Sequence, residues 1–573
     1  MSGRAGQRAP AGRSRHAGAG GAAARTKPTS IPSPTAASPP LAGEGAAVSY
    51  HARQMLARAH WAAGAFATFD SDTVLRIAEA VAKAAHAESA RYADWAVKET
   101  GFGVVEHKVI KNEACSVGLF ERYKNEDFVS PRIDQVAKII SIPRPAGVIL
   151  ALTPSTNPVC SVFFKVILAL LTRNAIVVSP HPMARACCTD AASRLAEVAE
   201  SSGAPDGIIQ VVEHPTVALV ETLMADPVTD VIVATGGTAM VRAAYRSGNP
   251  ALGVGPGNVP VLVDATADVA SAARLITDSK AFDNSVLCTN ESVLAVVDSV
   301  RERLLREMQR QGAVLLDDAG RDRLRAYLFP DGLLNGDAIG KDAAWIADQA
   351  GIRVPPRTRL LLAPVELVVP EEPFCREKLS PVLGVVTVPT AERGIEAARA
   401  VVRIGGAGHS AAIHSLDPQV IARYGVRVPV LRMAVNAGNS TGSAGMDTNL
   451  APSMTLGTGF VGRSSIGENL EPRHLVNWTQ VAFNSDPAVP FADFAGIEPW
   501  HRPAGRVPAY PRASNLPPEV PAEQAPPGTA QSRPSTLRGG GVSSSSSGTA
   551  LPDSVRDQLR ALIIEELAQL MSR

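Results

Sequence analysis

Residues 148–179 read VILALTPSTNPVCSVFFKVILALLTRNAIVVS, and this segment sets the architecture. Residues 148–153 and 175–179 are short apolar runs of strand length, and residues 159–171 between them are long enough for a helix. Continuous apolar runs, with no alternating polar residues, are typical of parallel strands that are buried under helices on both faces. The segment therefore predicts a β-α-β unit with a right-handed crossover.

The same alternation continues toward the C-terminus. A sheet of Val- and Ile-rich strands, each followed by a helix, is typical of the doubly wound Rossmann-type α/β fold that binds dinucleotides. The sequence predicts strands over residues 207–212 and 228–235, and helices over residues 184–200, 216–224 and 239–246.

The pattern restarts after a glycine-rich break at residues 253–258 and predicts a second α/β domain. The loop that carries Cys288 follows the first helix of this domain. The predicted strands are residues 259–264, 365–369 and 383–388, and the predicted helices are residues 269–281 and 391–402.

Bulk composition excludes several classes of protein. The chain has 56 Lys and Arg against 55 Asp and Glu, so no global charge favours nucleic-acid binding. Its six cysteines lack zinc-site spacing, which predicts free thiols in a reducing compartment and no metal site. Every stretch of 18 residues contains charged or strongly polar side chains, so the sequence predicts no membrane span.

Cys288 lies just before the apolar run at residues 293–297, at the mouth of a predicted strand. A thiolate there could attack a carbonyl carbon and hold the acyl group as a thioester. A single Cys is more often a buried packing residue, so this window alone leaves both interpretations open.

Three other segments could contact a ligand. Residues 235–238, Thr-Gly-Gly-Thr, form a strand-to-helix junction that could bind a phosphate or be an ordinary turn. Asn157, after Thr153 and Pro154, could cap the next helix or donate its amide N–H to an oxyanion. The glycines of residues 253–258 could admit a ligand or act as a hinge.

Nine segments, in this order, resemble the aldehyde dehydrogenase superfamily and more narrowly its CoA-acylating branch. The resemblance runs through nearly all of residues 50–482. The segments are residues 99–103, 153–158, 179–182, 235–238, 253–258, 282–288, 377–382, 408–415 and 452–457.

The resemblance implies a role for each matching position. Cys288 is the nucleophile, and Asn157 forms the oxyanion hole with the Cys288 backbone N–H. The implied reaction converts an aldehyde, NAD (or NADP) and CoA to acyl-CoA and reduced cofactor. Gly237 and Thr238 lie by the cofactor's diphosphate, Ser179 and His181 by its adenosine ribose and Glu377 by its nicotinamide ribose. The predicted cofactor-binding residues are Thr153, Pro154, Ser179, His181, Thr235, Gly236, Gly237, Thr238, Gly255 and Glu377.

One departure from the family decides the product. Hydrolytic members carry Glu-Leu-Gly-Gly, whose Glu activates water, and this chain has Gly253-Val254-Gly255-Pro256 there. Without that carboxylate the thioester survives until the thiol of CoA takes the acyl group. The alternatives are a hydrolytic NAD(P)-dependent aldehyde dehydrogenase with a base from elsewhere, and a non-catalytic microcompartment assembly protein.

The predicted organisation has a globular centre with unlike ends. Residues 1–46 predict a disordered tail in preference to a transit peptide or a misplaced start, and residues 498–550 predict a disordered linker. The predicted dinucleotide-binding and oligomerisation domain comprises residues 47–255 with about 426–497. Residues 256–425 are the predicted catalytic domain, with Cys288.

Residues 551–573 predict an amphipathic docking helix, because their apolar side chains fall on one helical stripe. Folding back onto its own domain is the alternative. The layout resembles the encapsulation peptides of bacterial microcompartment enzymes. We therefore expect a cytoplasmic homo-oligomer, a dimer or tetramer, held inside a microcompartment by a shell protein. The stripe consists of Val555, Leu559, Ile563, Leu567 and Leu570.

Overall fold

The computed structural model describes residues 42–494, 496 and 507–511. Most of the predicted tail, most of the predicted linker and the whole predicted helix at 551–573 lie outside these residues. Two described segments differ from the predicted boundaries. The first helix begins at Ala42, inside the predicted tail. Tyr510, inside the predicted linker, donates its backbone N–H to Asp206 at 3.1 Å and packs its ring edge-on against Trp61.

Sixteen α-helices lie in the described part of the chain. They are α1 Ala42–Phe66, α2 Ser71–Ala87, α3 Ser89–Thr100, α4 Val105–Glu113, α5 Leu119–Tyr123, α6 Pro158–Leu171, α7 Arg185–Ser201, α8 Val217–Ala225, α9 Thr238–Arg246, α10 Val269–Ala281, α11 Asp298–Arg310, α12 Asp318–Leu328, α13 Ala343–Gln349, α14 Ala391–Ile404, α15 Pro418–Arg427 and α16 Asn439–Ser443.

Fifteen strands in the same residues form three sheets. They are β1 Arg132–Asp134, β2 Ile139–Pro145, β3 Val148–Leu152, β4 Ala175–Ser179, β5 Ile209–Val211, β6 Val231–Thr235, β7 Ala251–Val254, β8 Val259–Val263, β9 Glu291–Val297, β10 Ala313–Leu315, β11 Leu360–Val365, β12 Val382–Val388, β13 Ala411–His414, β14 Met433–Val435 and β15 Val476–Ala482.

The first parallel sheet has five strands in the order β5-β4-β3-β6-β7. Every residue of β3, β4 and α6 is buried, as their continuous apolar runs predict. Residue pairing such as Leu152 with Ser179 aligns the carboxyl ends of β3 and β4, where open α/β sheets bind ligands. The predicted doubly wound fold is confirmed.

The second parallel sheet has seven strands in the order β10-β11-β12-β9-β8-β13-β14. Its central strand β9 is buried along its whole length and directly follows the Cys288 loop. A second parallel α/β sheet is present as predicted, but the predicted strand at 365–369 is wrong. The strand is Leu360–Val365, because Leu360, Leu361 and Leu362 are fully buried whereas Leu367 is exposed.

A third sheet, antiparallel and unpredicted, has the order β1-β2-β15. Strand β15 pairs with β2 over seven residues, from Val476 opposite Pro145 to Ala482 opposite Ile139. More than 300 residues separate these strands in the chain, so local periodicity could not reveal the pair.

Candidate active site

The loop that carries Cys288 has an unusual backbone. After α10 ends at Ala281, the consecutive residues Asp283, Asn284 and Ser285 all adopt positive φ values of 50°, 50° and 65°. This left-handed region of backbone conformation is unfavourable for residues other than glycine. Such strain persists only where surrounding contacts hold the backbone in place. The loop brings Cys288, a partly exposed residue, to the start of β9.

Buried charges hold this loop in place. The fully buried carboxylate of Asp283 accepts the backbone N–H of Val104 at 2.7 Å and the Nζ of Lys108 at 3.0 Å. Lys111 Nζ forms a further short contact with Asp283 Oδ2. All three ionic side chains are at least 97 % buried, so the loop is fixed to α4 by an ion cluster shielded from water.

Asn157 precedes α6, yet its side chain makes no capping hydrogen bond with that helix. Its Oδ1 accepts a hydrogen bond from Lys111 Nζ at 2.7 Å, and its Nδ2 donates to Thr156 Oγ1 at 3.2 Å. One N–H of the amide is then left to donate to a substrate oxygen. The geometry excludes a side-chain helix cap at Asn157, and its role as an oxyanion donor stays a prediction.

Burial, together with the nearby carboxyl of Glu377, raises the pKa of the Cys288 thiol to about 12. The positive charges of Arg432 and Lys111 act in the opposite direction and favour the thiolate. Arg432 is buried and donates to the carbonyl oxygens of His409 at 3.0 Å, Gly467 at 3.1 Å and Gly457. The thiol therefore lies in an environment of opposing fixed charges.

Gly257 packs directly on the backbone of Cys288. A Cβ atom at this position would lie 1.9 Å from the Cys288 carbonyl oxygen, so only glycine fits. The Gly257 backbone N–H donates to the carboxyl of Glu377, whose pKa burial raises to about 8. The glycine-rich segment at 253–258 thus serves close backbone approach to the thiol loop.

A second feature, an apolar cavity of about 340 Å³, opens at the carboxyl ends of β3 and β4. Its walls come from β3, β4, the loop before α8, α8 itself and α9, and they suit the faces of a flat aromatic ring such as adenine. The lining residues are Leu152, Ser179, Pro180, Pro182, Pro215, Thr216, Val217, Val220, Glu221, Met224, Ala239, Met240 and Ala243.

The predicted cofactor residues divide between the cavity and its surroundings. Ser179 lines the cavity, and Gly237 and Thr238 are exposed at the beginning of α9, one wall of it. His181 is not among the lining residues, and its Nδ1 accepts the Met183 N–H at 3.2 Å. Backbone N–H groups at a helix start suit a diphosphate, so this region fits the predicted nicotinamide dinucleotide.

The other predicted positions lie at strand ends or beside the thiol. Thr153 is buried, and its Oγ1 has no partner among the described residues. Thr235 Oγ1 pairs with Thr455 Oγ1 at 2.8 Å, while the side chain of Glu377 belongs to the thiol region. Pro154 and Gly236 are half-buried, and Gly255 faces open space.

Four functional candidates escaped the sequence reading, namely Lys108, Lys111, Asp283 and Arg432. Charged residues on a helix such as α4 are most often solvated, and nothing local marks the two lysines as buried. A weak signal existed for Asp283, which lies inside one of the nine matching segments.

The described residues contain no group of three or more His, Cys, Asp or Glu arranged to hold a metal ion. None of the described helices is both long and apolar enough to cross a lipid bilayer.

The fold and site define a class of protein that pairs a dinucleotide-type α/β sheet with a second sheet, whose central strand follows a cysteine-bearing loop. Residues 30–320 match the aldehyde dehydrogenase family. The chain belongs to this family.

Relatives and solved structures agree. The chain is 38% identical over 423 residues to the bifunctional aldehyde-alcohol dehydrogenase of Escherichia coli, covering 73% of this chain and 48% of that protein. It thus spans about half the length of the bifunctional relatives. It is 34% identical over 442 residues to the acetylating succinate-semialdehyde dehydrogenase of Clostridium kluyveri, covering 76% of this chain and 97% of that one.

Two solved structures share the fold. An acetylating aldehyde dehydrogenase from Geobacillus thermoglucosidasius has 39% identity and a TM-score of 0.76, over 78% of this chain and 98% of that one. A propionaldehyde dehydrogenase from the fucose-utilisation bacterial microcompartment of Clostridium phytofermentans has 27% identity and a TM-score of 0.68, over 75% of this chain and 97% of that one.

Proposed function

We propose that this protein is an NAD-dependent, CoA-acylating aldehyde dehydrogenase, which converts an aldehyde, NAD⁺ and CoA to acyl-CoA, NADH and a proton. The Cys288 thiolate attacks the aldehyde carbon, while Asn157 Nδ2 and the Cys288 backbone N–H hold the oxyanion. The nicotinamide cofactor supplies the hydride acceptor. Cys288 is left as a thioester, which the thiol of CoA cleaves to release acyl-CoA and the free cysteine.

The observation that carries this proposal is the packing at Gly253. A Cβ atom there would lie 2.7 Å from the Val241 side chain and 2.8 Å from the Tyr245 ring, so a carboxylate side chain at the position of the hydrolytic base would require these side chains to move. Tyr245 fixes this arrangement, since its Oη accepts the Gly253 N–H at 2.9 Å. With no base at this position to activate water, the thioester lasts long enough for a thiol to attack it.

The test is NADH formation with and without CoA. Without CoA we expect a burst of about one NADH per active site, followed by a stall, because the acyl-enzyme accumulates. With CoA, turnover is sustained and the product is acyl-CoA. Steady formation of free acid in the absence of CoA would contradict the proposal.

A second candidate is the hydrolytic reaction, and Glu377 is the observation that favours it. Its carboxyl acts on the Cys288 charge and has a pKa raised by burial to about 8, so it becomes a base only above about pH 8. If Glu377 activates water, free acid forms without CoA above pH 8 and Glu377→Gln abolishes it. Under the main proposal neither protein makes acid.

NAD is the cofactor we propose, and NADP is the alternative. The residue predicted to lie by the adenosine ribose is Ser179 and not an acidic residue. The exposed side chains of Arg185 and His214 lie 3.1 Å apart near the start of α7. This pair of basic side chains is the feature that favours the NADP alternative, because basic groups near the ribose would tolerate a 2′-phosphate. The ratio of kcat/KM for NAD to that for NADP tests this, and an Arg185→Ala plus His214→Ala variant should raise it.

We also propose a homo-oligomer, a dimer or tetramer, that is encapsulated in a bacterial microcompartment. The likeness to a microcompartment propionaldehyde dehydrogenase and the apolar stripe of residues 551–573 support this proposal. Deleting 551–573 should leave activity unchanged but prevent co-purification with shells, and Leu559→Glu with Leu567→Glu should do the same. If either change lowers Tm or breaks the oligomer, the segment belongs to the enzyme core. Light scattering measures the oligomer.

A further inference from the structure

Lys111 connects the two halves of the site. It lies on α4 with a side chain that is only 1% exposed, and its Nζ contacts both Asn157 Oδ1, at 2.7 Å, and Asp283 Oδ2. Asn157 belongs to the loop after β3, and Asp283 belongs to the loop that ends in Cys288. One ammonium group therefore contacts both the proposed oxyanion donor and the anchor of the nucleophile loop.

We propose that Lys111 is a positioning residue, which fixes the orientation of the Asn157 amide so that its N–H faces the aldehyde oxygen. The inference rests on the proposed function. The two ends of an Asn amide have nearly the same shape, so hydrogen bonding decides which way it points. An ammonium group only donates, and it therefore selects Oδ1 and turns Nδ2 toward the substrate side.

The surrounding charges add to this effect. Lys108 and Lys111 carry two positive charges against the single carboxylate of Asp283, so net positive charge remains behind the Asn157 amide. A charged donor on Oδ1 in a low-dielectric site polarises the amide and strengthens the bond that Nδ2 donates. The Lys111 charge thus supports the developing oxyanion through Asn157.

Lys108 provides a matched comparison. It is equally buried and contacts the same Asp283 oxygen at 3.0 Å, but its other bond is to the Thr156 carbonyl at 3.2 Å and not to the Asn157 amide. A role in stabilising the fold is common to both lysines, whereas orientation of the amide belongs to Lys111 alone.

The experiment is a double-mutant cycle on the NADH burst in the full-length enzyme. Removing one oxyanion donor typically lowers the rate about 10²- to 10³-fold, so we expect Asn157→Ala to fall in that range and Lys111→Met to lose roughly 10- to 100-fold. The KM for the aldehyde should change little. In the Asn157→Ala background, Lys111→Met should cost less than about 3-fold, because its target is gone.

Lys108→Met is the control. It should lower Tm about as much as Lys111→Met does, but its effect on the burst rate should be the same with and without Asn157. If Lys111→Met does not fold, Lys111→Gln replaces it in the cycle, because an amide of similar length both donates and accepts and so frees the Asn157 orientation.

The inference is overturned if the Lys111 effect persists in full in the Asn157→Ala background, or if the two lysines couple equally to Asn157. It is also overturned if Asn157→Ala leaves the burst rate unchanged. Failure of the proposed function looks different, because free acid and NADH would then form continuously without CoA. The initial rate of NADH formation would still report the coupling of Lys111 to Asn157.

Discussion

The apolar cavity beside β4 and the thiol loop before β9 are opposites in their physical chemistry. The cavity is lined mainly by Pro, Val, Met and Ala, with Glu221 as its single ionisable side chain among the described lining residues. The thiol loop lies among the buried charges of Asp283, Lys111 and Arg432. The free energy of apolar contacts in the cavity grows gradually with the area that is buried. The interaction energy between charges in a low dielectric is large for each pair.

This difference teaches where function should be fragile. A cavity built from many small apolar contacts should tolerate trimming, because each contact is worth little. A loop held by a few buried charges should not, because removing one partner leaves the others without compensation. The following experiments test that contrast, beginning with the largest expected effect.

Cys288→Ala should abolish NADH formation. Loss of a nucleophile costs a rate factor on the order of 10⁴ or more, while the strained loop before it is held by other residues. The measurement is the NADH burst, with cofactor binding checked by fluorescence. Cys187→Ala is the control: this thiol is fully buried on α7, so the variant should lose stability and keep its activity. Substantial turnover by Cys288→Ala would contradict the mechanism.

Asp283→Asn should destabilise the protein by about 3–5 kcal/mol, because two buried lysines lose their counter-charge. Chemical denaturation measures the free energy of unfolding. Asp278→Asn removes an exposed carboxylate that pairs with Arg359 at 2.9 Å, and it should change stability by no more than about 1 kcal/mol. Equal losses in the two variants would show that the buried cluster is no more important than a surface pair.

Gly257→Ala should lower the burst rate roughly 10- to 100-fold, since the added methyl group displaces the Cys288 carbonyl and a shift of about 1 Å can cost that much. Gly336→Ala is the matched control, because a Cβ atom there meets nothing within 4 Å. A normal rate for Gly257→Ala would mean that the thiol loop is less rigid than its contacts indicate.

Alkylation of Cys288 by iodoacetamide should rise with pH from 7 to 9. The thiol has a pKa raised to about 12, so its reactive thiolate fraction grows about tenfold per pH unit in this window. Glu377, with a pKa of about 8, ionises in the same window and opposes the thiolate. The slope of log rate against pH should therefore stay below one, and Glu377→Gln should restore it. If Glu377→Gln left the slope unchanged, ionisation of Glu377 would have no effect on the Cys288 thiolate.

Val220→Ala should produce the smallest effect. It removes two carbon atoms from the cavity wall, worth about 1 kcal/mol, so the KM for NAD should rise roughly fivefold with little change in kcat. Steady-state kinetics at saturating aldehyde and CoA measure this. If Val220→Ala lowered activity as much as Gly257→Ala does, the cavity would be no more tolerant of substitution than the thiol loop.

The sequence by itself determined the α/β class, the doubly wound sheet, the family and the candidate thiol. Parallel strands buried on both faces require continuous apolar runs, and those runs are local and visible in 148–179. The missing carboxylate at Gly253 was visible in the same way, although the packing of Tyr245 against this position was not.

Only the tertiary structure decided which charges surround the thiol. Lys111 and Asp283 are 172 residues apart in the chain. Arg432, whose charge acts on Cys288, follows helix α15 and directly precedes β14. Strand β15 likewise finds β2 across more than 300 residues. Periodicity reports how a segment buries its own side chains, whereas ion pairs and strand partners depend on where distant segments cross, and that is set by packing of the whole chain.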